Sequence, residues 1–177
     1  MTDPFKLSHS DYEQLARARA AQEPLRGQLP LGPATAYTAE WDRRMLSLAR
    51  HVAMWSKDPS TKVGAVITDA RNRVLSLGYN GYPRGVPDTR LYDREHKYER
   101  IVHAEMNALM FAGVPLTGAT LYVWPMPPCS RCAGPIIQAG IVRVVAPPAR
   151  PHWQKACAIG AEMFQQAGVV VQEFDLP

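Results

Sequence analysis

The 177-residue sequence lacks the features that identify several large classes of protein. No apolar run approaches the ~20 residues that a membrane-spanning helix needs, and the N-terminus has no basic stretch followed by an apolar one, as a secretory signal would. No Gly-x-x-x-x-Gly-Lys loop is present. The three cysteines, two of them spaced as Cys-x-x-Cys, suit a metal or redox site in a reducing compartment better than a disulfide framework. We therefore expect a cytoplasmic protein with no membrane partner and no kinase-like domain.

The sequence also lacks a strong charge imbalance. Its formal net charge is +4, of which residues 1–40 contribute −1 and residues 41–177 contribute +5. This modest positive excess suits a small anionic ligand. It is too small to require nucleic acid, because nucleic-acid-binding domains usually carry a concentrated basic stripe. The charge therefore favours a small-molecule partner over a polynucleotide.

Residues 1–40 differ in pattern from the rest and are predicted to form an N-terminal extension. A short helical arm is predicted to begin at Ser10, a capping residue that is followed three positions later by Glu13. The range 27–38 is rich in glycine and proline, as linkers are. We expect this extension to carry no chemistry of its own and to precede a single domain over residues 41–177.

From Trp41 onward, the hydrophobic periodicity predicts an α/β domain. Helices are predicted over 41–56, 103–112, 130–139 and 152–167, and strands over 62–69, 73–80, 119–124, 141–146 and 169–174. Residues 81–100 are polar, mixed in charge and predicted to be rich in loops. A strand hairpin followed by alternating helices and strands predicts a mixed five-stranded sheet flanked by helices, in a three-layer sandwich.

Two short motifs together predict a metal site. "HAE" begins at His103, and "PCSRC" contains Cys129 and Cys132. Both motifs stand at the start of a predicted helix, where the positive end of the helix dipole favours a thiolate. A catalytic zinc ion keeps three protein ligands and one open position for water. The sequence therefore predicts one zinc ion held by His103, Cys129 and Cys132.

Each motif has other interpretations when it is taken alone. Cys-x-x-Cys is also typical of a redox pair or of half a structural zinc site, but a thioredoxin-like context is absent. A fourth ligand is not expected, because His96 is isolated and Cys157 is predicted to be a small buried thiol. A glutamate in a first helical turn is favoured by the helix dipole alone. Beside His103, however, Glu105 is placed to shuttle protons between water and substrate, and the combined signature is that of zinc nucleobase deaminases.

These motifs and their flanking stretches resemble the cytidine/deoxycytidylate deaminase superfamily. The stretches are "SKDPSTKVGAVI" (56–67), "GYNGYPRGV" (78–86), "HAEMNAL" (103–109) and "IIQAGIVRVV" (136–145). They are most similar to the deoxycytidylate (dCMP) deaminases, from about Trp41 to the C-terminus. The resemblance implies a cytidine-deaminase-like fold and zinc-dependent hydrolysis of dCMP to dUMP. Water activated by zinc would attack C4 of the base, while Glu105 would carry protons to N3 and to the departing ammonia.

The resemblance also implies roles for residues around the metal. Asn80 corresponds to an asparagine that contacts the sugar in relatives, although Asn80-Gly81 is also an ordinary turn signal. The small Ala104 would let its backbone approach the base, and Lys62 and Val63 complete the predicted substrate site. Activation by dCTP and inhibition by dTTP are implied, in a homo-oligomer between a dimer and a hexamer. The predicted effector-binding residues are Gly78, Tyr79, Gly81 and Arg84.

Departures from the family pattern leave the exact substrate open. "PPARPHW" (147–153) replaces a polar segment that shapes the pocket in relatives, and we expect Trp153 to pack rather than to stack on a base. A cysteine- and histidine-rich insert is missing from residues 86–100, so one zinc ion per chain is expected. The alternatives are deamination of another cytosine nucleotide, or of tRNA or another polynucleotide. A different class, a nucleotide-binding regulatory module without turnover, is disfavoured by Glu105 and the complete ligand set.

Overall fold

The computed structural model describes residues 39–176, and within them five helices and five strands form an α/β sandwich. The helices are α1 (Ala39–Ala53), α2 (Arg94–Arg100), α3 (Ala104–Met110), α4 (Ser130–Gln138) and α5 (Pro151–Gln166). The strands are β1 (Gly64–Thr68), β2 (Val74–Tyr79), β3 (Thr120–Trp124), β4 (Arg143–Ala146) and β5 (Val170–Glu173). The predicted arm and linker lie outside the described residues, except that the last two positions of the predicted extension already belong to α1.

The five strands form one mixed sheet in the order β2-β1-β3-β4-β5. β1 runs antiparallel to both β2 and β3, whereas β3, β4 and β5 are parallel. In this register Gly64 pairs with Tyr79 on one side and with Trp124 on the other. The start of β1 and the ends of β2 and β3 therefore meet at one edge of the sheet, which we call the site edge.

Successive side chains of each strand point to opposite faces of the sheet, so the core consists of two clusters, one on each face. Val66, Tyr122 and Val145 are buried in a cluster with Met45 and Ala49 of α1. Their neighbours in the same strands are buried in a larger cluster that includes residues of α3, α4 and α5. The α1 helix thus covers one face, and the helices that carry the predicted metal ligands lie on the other.

Two glycines let helices approach the sheet closely from opposite faces. A Cβ atom at Gly78 in β2 would lie 2.2 Å from the Ala104 carbonyl oxygen and 2.4 Å from the Ala108 nitrogen, both in the backbone of α3. A Cβ atom at Gly64 in β1 would lie 2.1 Å from the carbonyl oxygen of Ala49 in α1. Only a residue without Cβ permits contacts this close, so Gly78 sets the height of α3 above the sheet.

A buried ion pair joins α1 to the parallel part of the sheet. Arg143 donates to both carboxylate oxygens of Asp42, at 2.8 and 2.7 Å, and also to Gln172. The Tyr122 hydroxyl donates to Asp42 at 3.1 Å. Asp42 and Arg143 are both buried. The two-point geometry offsets the cost of burying the charges, because an unpaired buried charge is strongly destabilising.

The sequence predictions agree with this fold in element order and strand number, and the predicted three-layer sandwich with a mixed five-stranded sheet is confirmed. No helix was predicted within residues 81–100, a range expected to be rich in loops, and α2 forms at its end. The first helix also ends at Ala53 rather than near 56, and Trp55 is half exposed with its ring edge-on to Tyr79. Within the range 39–176, no helix is both long and apolar enough to span a membrane.

Candidate metal centre

The predicted ligands meet at the site edge because two helices begin there. His103 is the N-cap residue of α3, and Cys129 is the N-cap residue of α4. The α3 helix is reached from β2 through Gly81, which forms a two-bond bridge with Val102. The α4 helix is reached from Trp124, at the end of β3, through a proline-rich loop over residues 125–128. Because β2 and β3 both end at the site edge, the starts of α3 and α4 both lie there.

Three donor atoms converge at this point. The His103 Nδ1 atom lies 3.2 Å from the Cys132 Sγ atom and 3.5 Å from the Cys129 Sγ atom. The two sulfur atoms lie 4.0 Å apart. Among the residues described, this is the only group of three or more His, Cys, Asp or Glu side chains that could hold a metal ion. The grouping predicted from the two motifs is therefore present as a geometric cluster.

The spacing of these atoms fits a tetrahedral metal. Zinc–sulfur bonds of about 2.3 Å and zinc–nitrogen bonds of about 2.0–2.1 Å imply sulfur–sulfur edges of about 3.8 Å and nitrogen–sulfur edges of about 3.6 Å. The observed edges lie within about 0.4 Å of these values. A nitrogen and two thiolates form a donor set that zinc prefers, and three protein ligands leave one position for water. The residues present fit the metal.

The electrostatics of the cluster favour the metal-binding form of one ligand, the Cys129 thiolate. The neighbouring Cys132 thiol, assisted by His103, lowers the pKa of Cys129 to about 3. The interaction with Cys129, together with burial, raises the pKa of Cys132. The two sulfurs therefore behave as a pair that readily holds one negative charge. A bound cation would favour loss of the second proton, because thiolates are the forms that bind metal.

Glu105 lies one half-turn into α3 and is buried, with only 4% of its surface exposed. Burial raises the pKa of its carboxyl group, although the nearby His103 opposes the rise. The carboxyl group in turn contributes to the raised pKa of the Cys132 thiol. Glu105 is therefore close to the donor cluster but is not one of the three residues that form it, and its predicted role as a proton carrier remains a prediction.

The α5 helix supports the loop that carries Cys129. The Cys157 thiol donates a hydrogen bond to the Pro127 carbonyl oxygen at 3.2 Å. A Cβ atom at Gly160, one turn further, would lie 2.8 Å from the Pro128 carbonyl oxygen. Cys157 is a buried thiol, as predicted. Sequence reasoning missed Gly160, for which the only signal was a glycine inside a helix, a position that often marks close packing.

The predicted substrate residues surround the start of β1. Asn80 is buried; its Oδ1 atom accepts from the Val63 N–H at 2.8 Å, and its Nδ2 atom donates to Asp58 and to the Thr61 carbonyl oxygen. Ala104 is fully buried in the first turn of α3. Lys62 is half-buried beside Val63. Asn80 therefore holds the entry to β1 in place, and its predicted contact with a sugar remains a prediction.

The predicted effector residues do not share one surface. Gly78 is buried beneath α3, whereas Tyr79 is exposed and Gly81 has open space around its Cα atom. The Arg84 guanidinium lies over the Phe111 ring, 4.7 Å from its centroid, at the far end of α3 from His103. Any effector contact by Gly78 would have to form beneath α3, so the assignment stays a prediction.

The comparisons with known proteins agree on one family. A family profile described as the cytidine and deoxycytidylate deaminase zinc-binding region matches residues 39–147. An uncharacterized deaminase from Aliivibrio fischeri is 45% identical over 138 residues, which cover 75% of this chain and 92% of that protein. The deoxycytidylate deaminase of Homo sapiens is 35% identical over 143 residues, 76% of this chain and 80% of the human protein.

Solved structures agree with the same fold. The dCMP deaminase from the cyanophage S-TIM5, crystallised in complex with dCMP and dUMP, matches with a TM-score of 0.63 and 25% identity. The match covers 78% of this chain and 99% of the phage protein. RibD from Acinetobacter baumannii matches with a TM-score of 0.58 and 26% identity, over 77% of this chain and 35% of RibD.

Proposed function

The chain belongs to the cytidine and deoxycytidylate deaminases, hydrolases that act on carbon–nitrogen bonds, and we propose that it converts dCMP and water into dUMP and ammonia with one zinc ion per chain. The observation that carries this proposal is the convergence of the His103, Cys129 and Cys132 donor atoms beside the buried Glu105. The curated relatives named deoxycytidylate deaminase support the choice of substrate.

His103, Cys129 and Cys132 would hold the metal and leave one position for water. When bound, the ion would lower the pKa of a water molecule so that it can attack carbon near neutral pH. The chain supplies the remaining steps. Glu105 takes the first proton from the attacking water and delivers it to N3 of the cytosine ring. It then takes the remaining water proton from the new C4 hydroxyl group and passes it to the amino group at C4, so that ammonia departs and a carbonyl group remains.

The nucleotide would lie at the site edge, between the first turn of α3 and the start of β1. We assign the base to the Ala104 backbone, the sugar to Asn80 and the phosphate to Lys62, with Val63 forming the wall beside them. Both amide hydrogens of Asn80 are already donated within the protein, so a sugar hydroxyl would donate to the second lone pair of its Oδ1 atom. A monophosphate substrate agrees with the net positive charge of residues 41–177.

Regulation by deoxynucleoside triphosphates is a further part of the proposal. dCTP would activate and dTTP would inhibit a homo-oligomer, with effector contacts proposed at Tyr79, Gly81 and Arg84 and at Gly78 beneath α3. The open space around Gly81 and the exposed Arg84 suit close approach of an anion. Opposite responses require two states with different affinities for the two triphosphates. Rates at sub-saturating dCMP, with magnesium held constant and each triphosphate added in turn, test this part separately.

The decisive experiment measures ammonia release from a panel of dCMP, CMP, dCTP, deoxycytidine and methylated dCMP, together with the metal content of the purified protein. We expect about one zinc equivalent, as a three-ligand site implies, and the highest kcat/KM for dCMP. Deoxycytidine should be poorer by at least about 10-fold, because it lacks a charge-assisted phosphate contact. Equal efficiency on deoxycytidine and dCMP would contradict the substrate assignment.

Glu105→Gln and Cys132→Ala separate chemistry from metal binding. Glu105→Gln should retain zinc and lower kcat by at least about 10²–10⁴, because Glu105 moves protons and binds no metal. Cys132→Ala should lose both the metal and the activity. Retention of a full zinc equivalent by Cys132→Ala would show that the ligand set is wrong.

A further inference from the structure

A buried polar network lies next to the metal centre, and the chemistry described so far does not use it. At its middle is an ion pair in which the Lys97 Nζ atom donates to the Asp58 Oδ1 atom at 2.9 Å. The side chains are only 4% and 3% exposed. Lys97 belongs to α2, the helix that the sequence did not predict, and Asp58 belongs to the loop between α1 and β1.

The Asp58 carboxylate organises the loop that leads into β1. Its Oδ1 atom accepts from the backbone N–H groups of Ser60 and Thr61, at 2.8 and 3.2 Å, and from the Ser60 hydroxyl. Lys97 also donates to that hydroxyl. The Asp58 Oδ2 atom accepts from the Asn80 Nδ2 atom at 3.2 Å. Lys97 and Asp58 thus determine where Thr61 and the Asn80 side chain lie.

The same network is tied to the metal ligand His103 through the main chain. The Lys97 carbonyl oxygen accepts a hydrogen bond from the Ile101 N–H at 2.9 Å. The next residue, Val102, forms both hydrogen bonds of the bridge with Gly81. Gly81 follows Asn80, and His103 follows Val102. The ion pair therefore connects the two sides of the proposed nucleotide site, with Asn80 and Val63 on one side and the start of α3 on the other.

We propose that Asp58 and Lys97 are positioning residues for the nucleotide: their buried ion pair holds Asn80 and the backbone of residues 61–63 at a fixed place beside the start of α3. This inference rests on the proposed function, because it concerns how the proposed nucleotide site receives its substrate. Neither side chain needs to touch the nucleotide. Burying two charges is costly, and well-packed apolar side chains of similar volume would stabilise this position equally well. The buried ion pair therefore indicates a role other than stability.

The chain contains a matched control in the Asp42–Arg143 pair. That pair is also buried, but it lies on the α1 face, and Arg143 pairs with Thr120 at the opposite edge of the sheet from Trp124. Lys97→Met and Arg143→Met each remove the cation of a buried ion pair. A purely structural role predicts the same pattern for both variants, whereas a positioning role predicts a specific change only in the first.

The experiment compares KM and kcat for dCMP in the wild type, Lys97→Met and Arg143→Met, well below the melting temperature of each. Lys97→Met should raise KM by about 10-fold or more with little change in kcat, as expected when uniform binding is lost, and should retain zinc. Arg143→Met should lower the melting temperature without changing KM. An unchanged KM in Lys97→Met, or an equal rise in both variants, overturns the inference.

Two further measurements keep the inference testable if Lys97→Met folds poorly or the wild type is inactive on dCMP. The double variant Asp58→Asn/Lys97→Met leaves no unpaired buried charge, and it should still raise KM. Amide hydrogen exchange needs no substrate: the Val63 N–H should exchange at least about 10-fold faster in the double variant than in the wild type. Inactivity of the wild type on all five compounds of the panel contradicts the proposed function, whereas unchanged protection of the Val63 N–H contradicts the positioning role.

Discussion

Gly78 controls the position of the helix that carries Glu105, and Gly78→Ala tests that control directly. The new Cβ atom would lie 2.2 Å from the Ala104 carbonyl oxygen and 2.4 Å from the Ala108 nitrogen, where ordinary contact begins at 3.4 Å. Neither partner is a flexible side chain, so the backbone of α3 must move away from β2 by about 1 Å or the strand must bend.

Such a shift has two measurable consequences. Overpacking of this kind typically costs about 1–3 kcal/mol in the free energy of unfolding. A displacement of about 1 Å at reacting groups can lower the rate by about 100-fold, and His103 and Glu105 both move with α3. We therefore expect Gly78→Ala to be folded but destabilised, with kcat/KM for dCMP lowered by about 100-fold.

Gly64→Ala provides the comparison. It creates the same overlap, 2.1 Å from the Ala49 carbonyl oxygen, but displaces α1, which carries no predicted site residue. Urea unfolding of both variants measures how much the overlap lowers the free energy of unfolding. Steady-state kinetics measures whether the displacement of His103 and Glu105 lowers the activity. Similar destabilisation with a loss of activity confined to Gly78→Ala supports the argument. Activity of Gly78→Ala within a few-fold of the wild type refutes it.

Three further predictions concern support of the site and stability. Gly160→Ala should weaken zinc retention against a chelator by about 10–100-fold, because its Cβ atom would press on the loop before Cys129; Gly134→Ala, whose Cβ atom would meet only a side-chain carbon at 3.7 Å, should not. Arg143→Met should lower the free energy of unfolding by about 3–5 kcal/mol in urea titrations, because the Asp42 charge is left unpaired. Burial opposes ionisation of Asp58, but hydrogen bonds from Lys97, Ser60 and Thr61 outweigh it and hold the pKa below its ordinary value of 3.8. The pKa of Asp58 is lower in the folded state than in the unfolded state, so this stabilisation is fully present above pH 3.8 and is lost as the pH falls through the folded-state pKa. The difference in free energy of unfolding between the wild type and Asp58→Asn should therefore shrink as the pH is lowered below 3.8.

The part of the site that sequence reasoning predicted is the part carried by local patterns. His103 and Cys129 each precede a helix, and helix starts can be recognised from a single stretch of sequence. Their meeting also follows from the strand order, because both helices come after strands that end at one edge of the sheet. Each helix start could therefore be predicted from a local pattern, whereas their convergence also required that the two preceding strands belong to one sheet.

The parts that were missed depend on contacts between distant residues. The α2 sequence "REHKYER" has no apolar face, so hydrophobic periodicity gave no signal. Its helical form is supported by the Asp93 cap, which accepts the His96 N–H, and by Lys97, whose partner Asp58 is 39 residues away. Neither the burial of a lysine nor the identity of its partner is visible in the local pattern. The constraint at Gly78 is likewise invisible, because it depends on the height of α3 above the sheet.

The Asp42–Arg143 pair has a consequence for synthesis of the chain. Asp42 lies in the first described helix, and its partner is 101 residues further along. At about 5–20 residues per second, the ribosome needs roughly 5–20 s to make that intervening segment. During this interval α1 can lie on β1 and β2, but the carboxylate that it must bury has no guanidinium to meet. The α1 face of the sheet is therefore complete only after β4, which supplies Val145 and Arg143, has left the ribosome.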